Sequence, residues 1–310
     1  MSSLPTPSTL HAALHAAPID PLAPQISGAY RDEVIEVRAL GRLRPRRSLH
    51  MIRTEHFDLT QVGERLHVEH AVAPERIDDD LGGLLADELF GPGWLRGGEL
   101  FERIFTGIVR TSAVDPLTSW ELFYRNSLER IGAQLTHSGT ARHGTIAGYA
   151  PVYAHAEDLL SHGTVLELGC CFGFLSLRIA AAGRQVIASD VSAGTMRLLD
   201  AVSPRLGTQL TTRVADAARF PGPDGCADTV LAIHLLEHLV PAEGDLAVAE
   251  AVRLAARRVV IAVPLEAEAD ETWGHVRTVS LADLTAWGEA SGWSYDVHEH
   301  HGGWLVIDKR

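Results

Sequence analysis

Between Asp32 and about Ile77 apolar and polar residues alternate. The runs VIEVRAL, SLHMIRTEHFDL and ERLHVEHAV read as strands buried on one face, with a turn near Gln61 to Gly63. From about Leu81 the spacing lengthens. GELFERIFTGIVR and PLTSWELFYRNSLERIGAQL place apolar residues three and four apart, as amphipathic helices do. These patterns predict an accessory α+β region over 28–145. The Pro-, Ala-, Ser- and Thr-rich stretch 1–27 before it reads as a flexible arm.

Beyond the polar segment HSGTARHG the pattern changes to strands alternating with helices. YAPVYAHAEDLL (helix), TVLELG (strand), FLSLRIAAAG (helix), RQVIASD (strand), SAGTMRLLDAV (helix) and TQLTTRV (strand) come first. ADTVLAIHLL (strand), EGDLAVAEAVRLAA (helix), RRVVIAVPL (strand) and SLADLTAWGEASG (helix) follow, and WSYDVHEHH and GWLVIDK close the chain as strands. Such alternation predicts an α/β fold, a Rossmann-like doubly wound parallel sheet over 146–310.

Composition narrows the class. The chain has 310 residues, 46% of them hydrophobic, enough for a sizeable core. A formal charge of −13 argues against a nucleic-acid partner. No apolar run approaches the roughly 20 residues of a membrane helix, and the N-terminus lacks a signal pattern. The chain therefore reads as cytoplasmic, without a membrane partner. Lys309 is the only lysine, which excludes a GxxxxGK[ST] phosphate loop. Cys170, Cys171 and Cys226 fit neither a disulfide framework nor CxxC zinc spacing. The basic cluster Arg42, Arg44, Arg46 and Arg47 reads as a solvated loop, with an anion patch as the alternative.

Candidate chemistry begins at VLELGCCFGF. Gly169 and Gly173 flank a strand-to-helix turn at the rim of the sheet, where ligands bind. The dinucleotide fingerprint GxGxxG is missing, and the spacing is ExGxCxG. Cys171 takes the middle slot, where a pyrophosphate needs bare backbone, so a ligand without one is accommodated more easily. Asp190 ends the second strand, 21 residues after Gly169. It suits the two hydroxyls of a ribose, or else caps the helix that starts near Ser192. Asp216, in VADAARF, can accept from an adenine amino group or sit as a surface turn residue.

VLELGCCFGF, VIASD, VADAARFP and PDGCADTVLAIHLLEHL, in this order and spacing, resemble class I S-adenosylmethionine-dependent methyltransferases from about Ile146 to Arg310. The resemblance implies a seven-stranded sheet with the last strand antiparallel and S-adenosyl-L-methionine as cofactor. It also implies that Glu167, Gly169 and Gly173 shape the methionine pocket, Asp190 holds the ribose, and Asp216 with Ala217 faces the adenine. Tyr149 and Cys171 join the donor-binding set; Cys171 stands where family members often carry glycine. FYRNSLERI and GTIAGYAPVYAHAEDLL, leading into VLELGCCFGF, resemble the methyltransferases of mycofactocin biosynthesis. That family is implied to O-methylate a glucose in the cofactor's oligosaccharide.

The acceptor side is read from HLLEHL, which replaces the (Asp/Asn)-Pro-Pro-aromatic loop of amino-methylating nucleic-acid enzymes. His238 is the first candidate base, with Glu237 orienting it, although EH at this place is often structural in the family. His275 is the second candidate, with Arg277 as a substrate clamp; His234 reads as a packed strand-end residue. His298, His300 and His301 suggest either a metal triad or a solvated hairpin. With no carboxylate trio, no catalytic metal is expected. Trp120, Phe123, Tyr124, Tyr149 and Tyr153 read mainly as core. An accessory lid would instead use them, with Arg125 and Asn126, to stack on sugar rings. The expected activity is O-methylation of a sugar hydroxyl on a small molecule or oligosaccharide. The alternatives are a nicotinamide-dependent oxidoreductase, against which the missing GxGxxG speaks, and a donor-binding module without catalysis.

Overall fold

The computed structural model describes residues 17–41, 50–136, 145–270 and 273–309. The arginine cluster at 42–47, the HSGTARHG segment and the first 16 residues lie outside them. The chain divides into two compact units, Met1–Ala147 and Gly148–Arg310.

The N-terminal unit carries a five-stranded sheet in the order β1-β2-β5-β4-β3. Its strands are β1 (Ala29–Arg31), β2 (Ile35–Ala39), β3 (Met51–Arg53), β4 (Phe57–Val62) and β5 (Arg65–His70). In β5 exposure alternates residue by residue, as a half-buried strand requires. β2 and β5 run parallel and the other pairs antiparallel. Helices α1 (Asp80–Leu85), α2 (Gly98–Arg110) and α3 (Pro116–Thr136) follow, and α4 (Thr145–Asp158) spans the division between the units.

Two features of this unit carry no signal in the pattern. The described end of the arm is tied down: Pro21 O accepts from Trp120 Nε1 at 2.6 Å and Ala23 O from Arg110 Nη2 at 2.7 Å. Gln25 Nε2 donates to Arg110 O and Ala113 O. A proline-rich segment without regular secondary structure leaves backbone carbonyls free, and buried donors on the helices take them up. Arg103 is also buried rather than solvated, held by Asp32 at 2.7 Å and Glu99 at 2.6 Å.

The C-terminal unit is a seven-stranded sheet in the order β11-β12-β10-β9-β6-β7-β8. Its strands are β6 (Val165–Leu168), β7 (Val186–Asp190), β8 (Thr211–Val214), β9 (Ala227–Ile233), β10 (Ala255–Val263), β11 (Ser294–Glu299) and β12 (Gly303–Asp308). β6 to β10 pair in parallel, and β12 runs antiparallel to both its neighbours. Helices α5 (Phe174–Ala181), α6 (Ala193–Val202), α7 (Pro241–Leu254) and α8 (Leu281–Ser291) complete it. The fold is thus the α/β Rossmann-like doubly wound sheet expected, with a separate α+β region before it.

Successive residues of the central strands serve opposite faces. Leu166, Val230 and Ile261 pack into one core cluster, while Val165, Leu231 and Val260 pack into the other. Both faces are covered, which is why these strands read as nearly continuous apolar runs. Short polar signals set the helix starts. Ser192 accepts from Thr195 N, Pro241 occupies the first turn of α7, and Ser280 with Asp283 forms a reciprocal cap on α8. Among the described residues no helix is long and apolar enough to cross a membrane.

Candidate active site

The first parallel strand, β6, runs into the turn Gly169–Gly173 and then α5. Gly169 has φ +68° and Gly173 φ +74°. A Cβ on Gly169 would lie 2.6 Å from Leu235 Cδ1, and one on Gly173 would lie 2.5 Å from Leu199 Cδ2. Both positions therefore need glycine twice over, for backbone conformation and for space. Cys171 shares the left-handed conformation, at φ +49°, which explains why glycine is usual there. Its side chain is exposed, so the substitution leaves the turn open.

Asp190 closes the pocket from β7. Its Oδ2 accepts from Cys171 N at 3.0 Å and its Oδ1 from Ser192 N at 2.8 Å. The capping reading of Asp190 is what these bonds show, and the same carboxylate also props the glycine turn. Ala215 N donates to Asp190 O at 3.0 Å, which brings the end of β8 alongside. Two residues later Asp216 caps a short helical turn by accepting from Ala218 N at 2.9 Å, with Ala217 half-buried behind it. Bare backbone at one end, a carboxylate in the middle and Asp216 at the far side fit an S-adenosyl group laid along the rim.

Glu167 behaves differently from the pocket-shaping role its motif suggests. It is 4% exposed, and its carboxylate accepts from Ser176 Oγ on α5, binding strand to helix. Burial lifts its pKa from 4.5 to about 7. The folded protein thus holds this proton more tightly than the unfolded chain. Stability owed to this group is full below about pH 4.5 and is lost as pH rises through 7. Glu167→Gln keeps an acceptor for Ser176 and removes the buried charge. Melting curves should coincide with those of the parent near pH 5. At pH 8 the variant should be the more stable, by at most about 3 kcal/mol. A variant less stable at both values would overturn the assignment.

On the other side of Gly169, β9 ends at Ile233 and the chain turns through His234, at φ +51°, into HLLEHL. Glu237 is 1% exposed, and burial raises its pKa to about 8. His234 is driven down to about 4 by burial, and its ring lies 5.2 Å from that of Tyr149. His234 is therefore the packed strand-end residue expected, and Tyr149 covers it rather than standing alone at the pocket. Solvent reaches His238, yet crowding around its ring, and then the neighbouring His275, hold its pKa below the ordinary value. The rings of His238 and His275 meet edge to face at 4.9 Å. The fold thus brings together Glu237, His238 and His275 from segments 38 residues apart in sequence.

Several other sequence candidates have structural work instead. Arg277 is half-buried: its Nε donates to Leu236 O at 3.1 Å, its guanidinium fits where Gly244 lacks a side chain, and it lies over Trp287. It braces the HLLEHL turn through Nε, and its Nη2 is buried without a hydrogen-bond partner. Trp120, Phe123 and Tyr124 are buried to within 1% and pack edge to face in the N-terminal unit. Asn126 Nδ2 donates to Pro74 O and Ile77 O, and Arg125 pairs with Glu121. The three aromatic rings therefore offer no sugar-stacking surface. Of the late histidines, His298 and His300 gather around His155, whose Nε2 lies 2.8 Å from His298 Nε2. The hairpin is therefore bound to α4 and not simply solvated. An open cavity of about 540 Å³ lies in the N-terminal unit, lined by His70, Val72, Ile77 and Thr111 among others. It contains no residue of the donor turn, and the rim geometry is the better guide to the site.

Glu266 and Gly274, the partners of His275 and His238, have no signal in the sequence. They lie in an irregular loop where neither periodicity nor a motif marks a residue.

Residues 165–257 match the family of methyltransferase domains. The match runs from the first residue of β6 into β10, spanning the donor turn, Asp190, Asp216 and the HLLEHL segment. This stretch of the C-terminal unit therefore carries the signature of a methyltransferase domain. No curated protein matches the chain. Among solved structures, the chain is similar to magnesium protoporphyrin IX methyltransferase of Synechocystis PCC 6803 with bound S-adenosylhomocysteine. Identity is 18% over 59% of this chain and 94% of that one, with a TM-score of 0.46. It is also similar to a protein of Pyrococcus horikoshii OT3, at 15% identity over 56% and 93% of the two chains and a TM-score of 0.44. A methyltransferase of Methanosarcina mazei matches at 16% over 50% and 96%, with a TM-score of 0.43. At these identities the likeness is one of fold.

Proposed function

We propose that this enzyme transfers a methyl group to a sugar hydroxyl of a glycosylated small molecule, such as the mycofactocin oligosaccharide. The observation that carries this reading is the Glu237–His238–His275 cluster beside the donor turn. A hydroxyl is a poor nucleophile until its proton is drawn away, and these side chains suit that task. S-adenosylmethionine supplies an electrophilic methyl group. In this reading Asp190 holds the ribose hydroxyls, Asp216 and Ala217 face the adenine, and the Gly169 backbone lies against the methionine part. His238, the most accessible of the cluster, faces the acceptor oxygen, and Glu237 and His275 fix its surroundings. Alignment of that oxygen with the methyl group is the larger expected contribution to rate. The glucose of the mycofactocin oligosaccharide is named on the strength of the resemblance in FYRNSLERI and GTIAGYAPVYAHAEDLL.

The test is incubation with labelled donor and either the candidate oligosaccharide or an extract of the source organism, followed by identification of the labelled molecule. A labelled sugar supports the reading; label on nitrogen, on carbon or on nothing overturns it. His238→Ala should lower kcat by about 10²-fold or more while donor affinity stays within a few-fold of the parent. Full activity in this variant would remove His238 from the chemistry.

A further inference from the structure

The cluster beside the donor turn has the features of a ligand set. Glu237, His238 and His275 each offer a ligand atom, and these atoms lie within 4.8 Å of one another. Both carboxylate oxygens of Glu237 are buried without a hydrogen-bond partner. His234 Nδ1 stands 3.7 Å from Oε1, too far for a hydrogen bond, and Arg277, whose charge acts on Glu237, gives its Nε to Leu236 O and bonds neither carboxylate oxygen. A buried carboxyl group with no donor at either oxygen is costly unless it keeps a proton or a cation meets it.

The imidazoles are turned the same way. His275 Nδ1 bonds Glu266 Oε2 at 2.8 Å, and His238 Nδ1 faces Gly274 O at 3.3 Å. Both partners are acceptors, so the proton of each neutral ring belongs on Nδ1, which leaves the Nε2 lone pairs free. A carboxylate or carbonyl behind the ring is how metal-binding histidines are commonly held. The two segments are also tied together, because Val276 N donates to Glu237 O at 2.9 Å.

We propose that Glu237, His238 and His275 bind one divalent transition-metal ion. Two imidazoles and one carboxylate suit Zn²⁺, Fe²⁺, Co²⁺ or Mn²⁺ better than Ca²⁺, which takes oxygen ligands only. Three protein ligands leave positions open on the exposed His238 side. The role of the ion rests on the methyl-transfer reading above and replaces one part of it: His238 acts as a ligand in place of a base, and the ion polarises the acceptor hydroxyl. The acceptor oxygen then forms the bond to the methyl carbon. The carbon–sulfur bond breaks with its electron pair going to sulfur, giving S-adenosylhomocysteine, and the hydroxyl proton passes to water.

The experiment strips the full-length protein with a chelator and titrates it with Co²⁺, by calorimetry and visible absorption. One Co²⁺ per chain is expected. Glu237→Gln and His275→Ala should each weaken binding by about 100-fold or more. Glu266→Gln, acting through His275, should weaken it by about 10- to 100-fold. Cys226→Ser should leave it unchanged. Affinity for S-adenosylhomocysteine, measured in parallel, should stay within a few-fold and shows that each variant is folded. Absence of stoichiometric uptake by the parent overturns the proposal, as does uptake equal to the parent's in folded Glu237→Gln and His275→Ala. Intact Co²⁺ binding in a protein that methylates no hydroxyl would count against the proposed function and leave the metal site standing.

Discussion

Replacing Asp190 with Ala is expected to lower affinity for S-adenosylmethionine and S-adenosylhomocysteine by about 10²-fold or more. The carboxylate sits at the end of β7, where Oδ2 meets Cys171 N and Oδ1 meets Ser192 N. Two carboxylate oxygens have roughly four acceptor directions between them, so room remains for a ribose diol. Each hydrogen bond to a charged group contributes about 1.5–3 kcal/mol, and the variant loses two such bonds to the ligand. It also frees Cys171 N, so the donor turn loses a support. Asp190→Asn should fall between parent and Ala, because one acceptor oxygen survives while the other group becomes a donor. Calorimetry decides the matter: unchanged affinity in Asp190→Ala would move the donor site away from this turn.

Gly173→Ala is the second large expected effect, a loss of both stability and donor binding. A left-handed residue with a side chain costs about 1–2 kcal/mol. The new methyl carbon would also lie 2.5 Å from Cδ2 of Leu199, a fully buried side chain on α6. Both strain sources act on one turn, so the melting temperature should drop by about 5–10 °C. Donor affinity should fall by about 10-fold or more, since the turn that faces the ligand must shift. Adding Leu199→Ala relieves the contact but not the backbone conformation, so the double variant should recover only part of the lost donor affinity. A single variant that melts and binds like the parent would show that this turn is not held as described.

Much of the donor half was legible before any coordinates. A strand buried on both faces, a turn demanding glycine and a carboxylate at the next strand's end are local facts, each written within a few residues. Periodicity placed nearly every element of the C-terminal unit for the same reason. Arg277 shows where that reasoning stops: as a cation near a candidate base it suggests a clamp. Gly244, 33 residues earlier in the chain, makes the space that turns it into a brace. Trp120, Phe123 and Tyr124 likewise could be core or platform until their burial was known. Nor did the composition of the N-terminal arm reveal that its carbonyls would satisfy Arg110 and Trp120 from about 90 residues away.

By itself the sequence determined the doubly wound fold and the glycine turn that follows its first strand. These depend on the alternation of short segments and on spacing within one strand–turn–helix unit. Only the tertiary structure decided how Glu237 and His238 relate to His275, and that Glu266 and Gly274 stand behind the two rings. Those residues come from separate loops with no shared period. Their meeting follows from where β9 and β10 end side by side, and buried polar groups find partners by proximity in space, which spacing along the chain does not record.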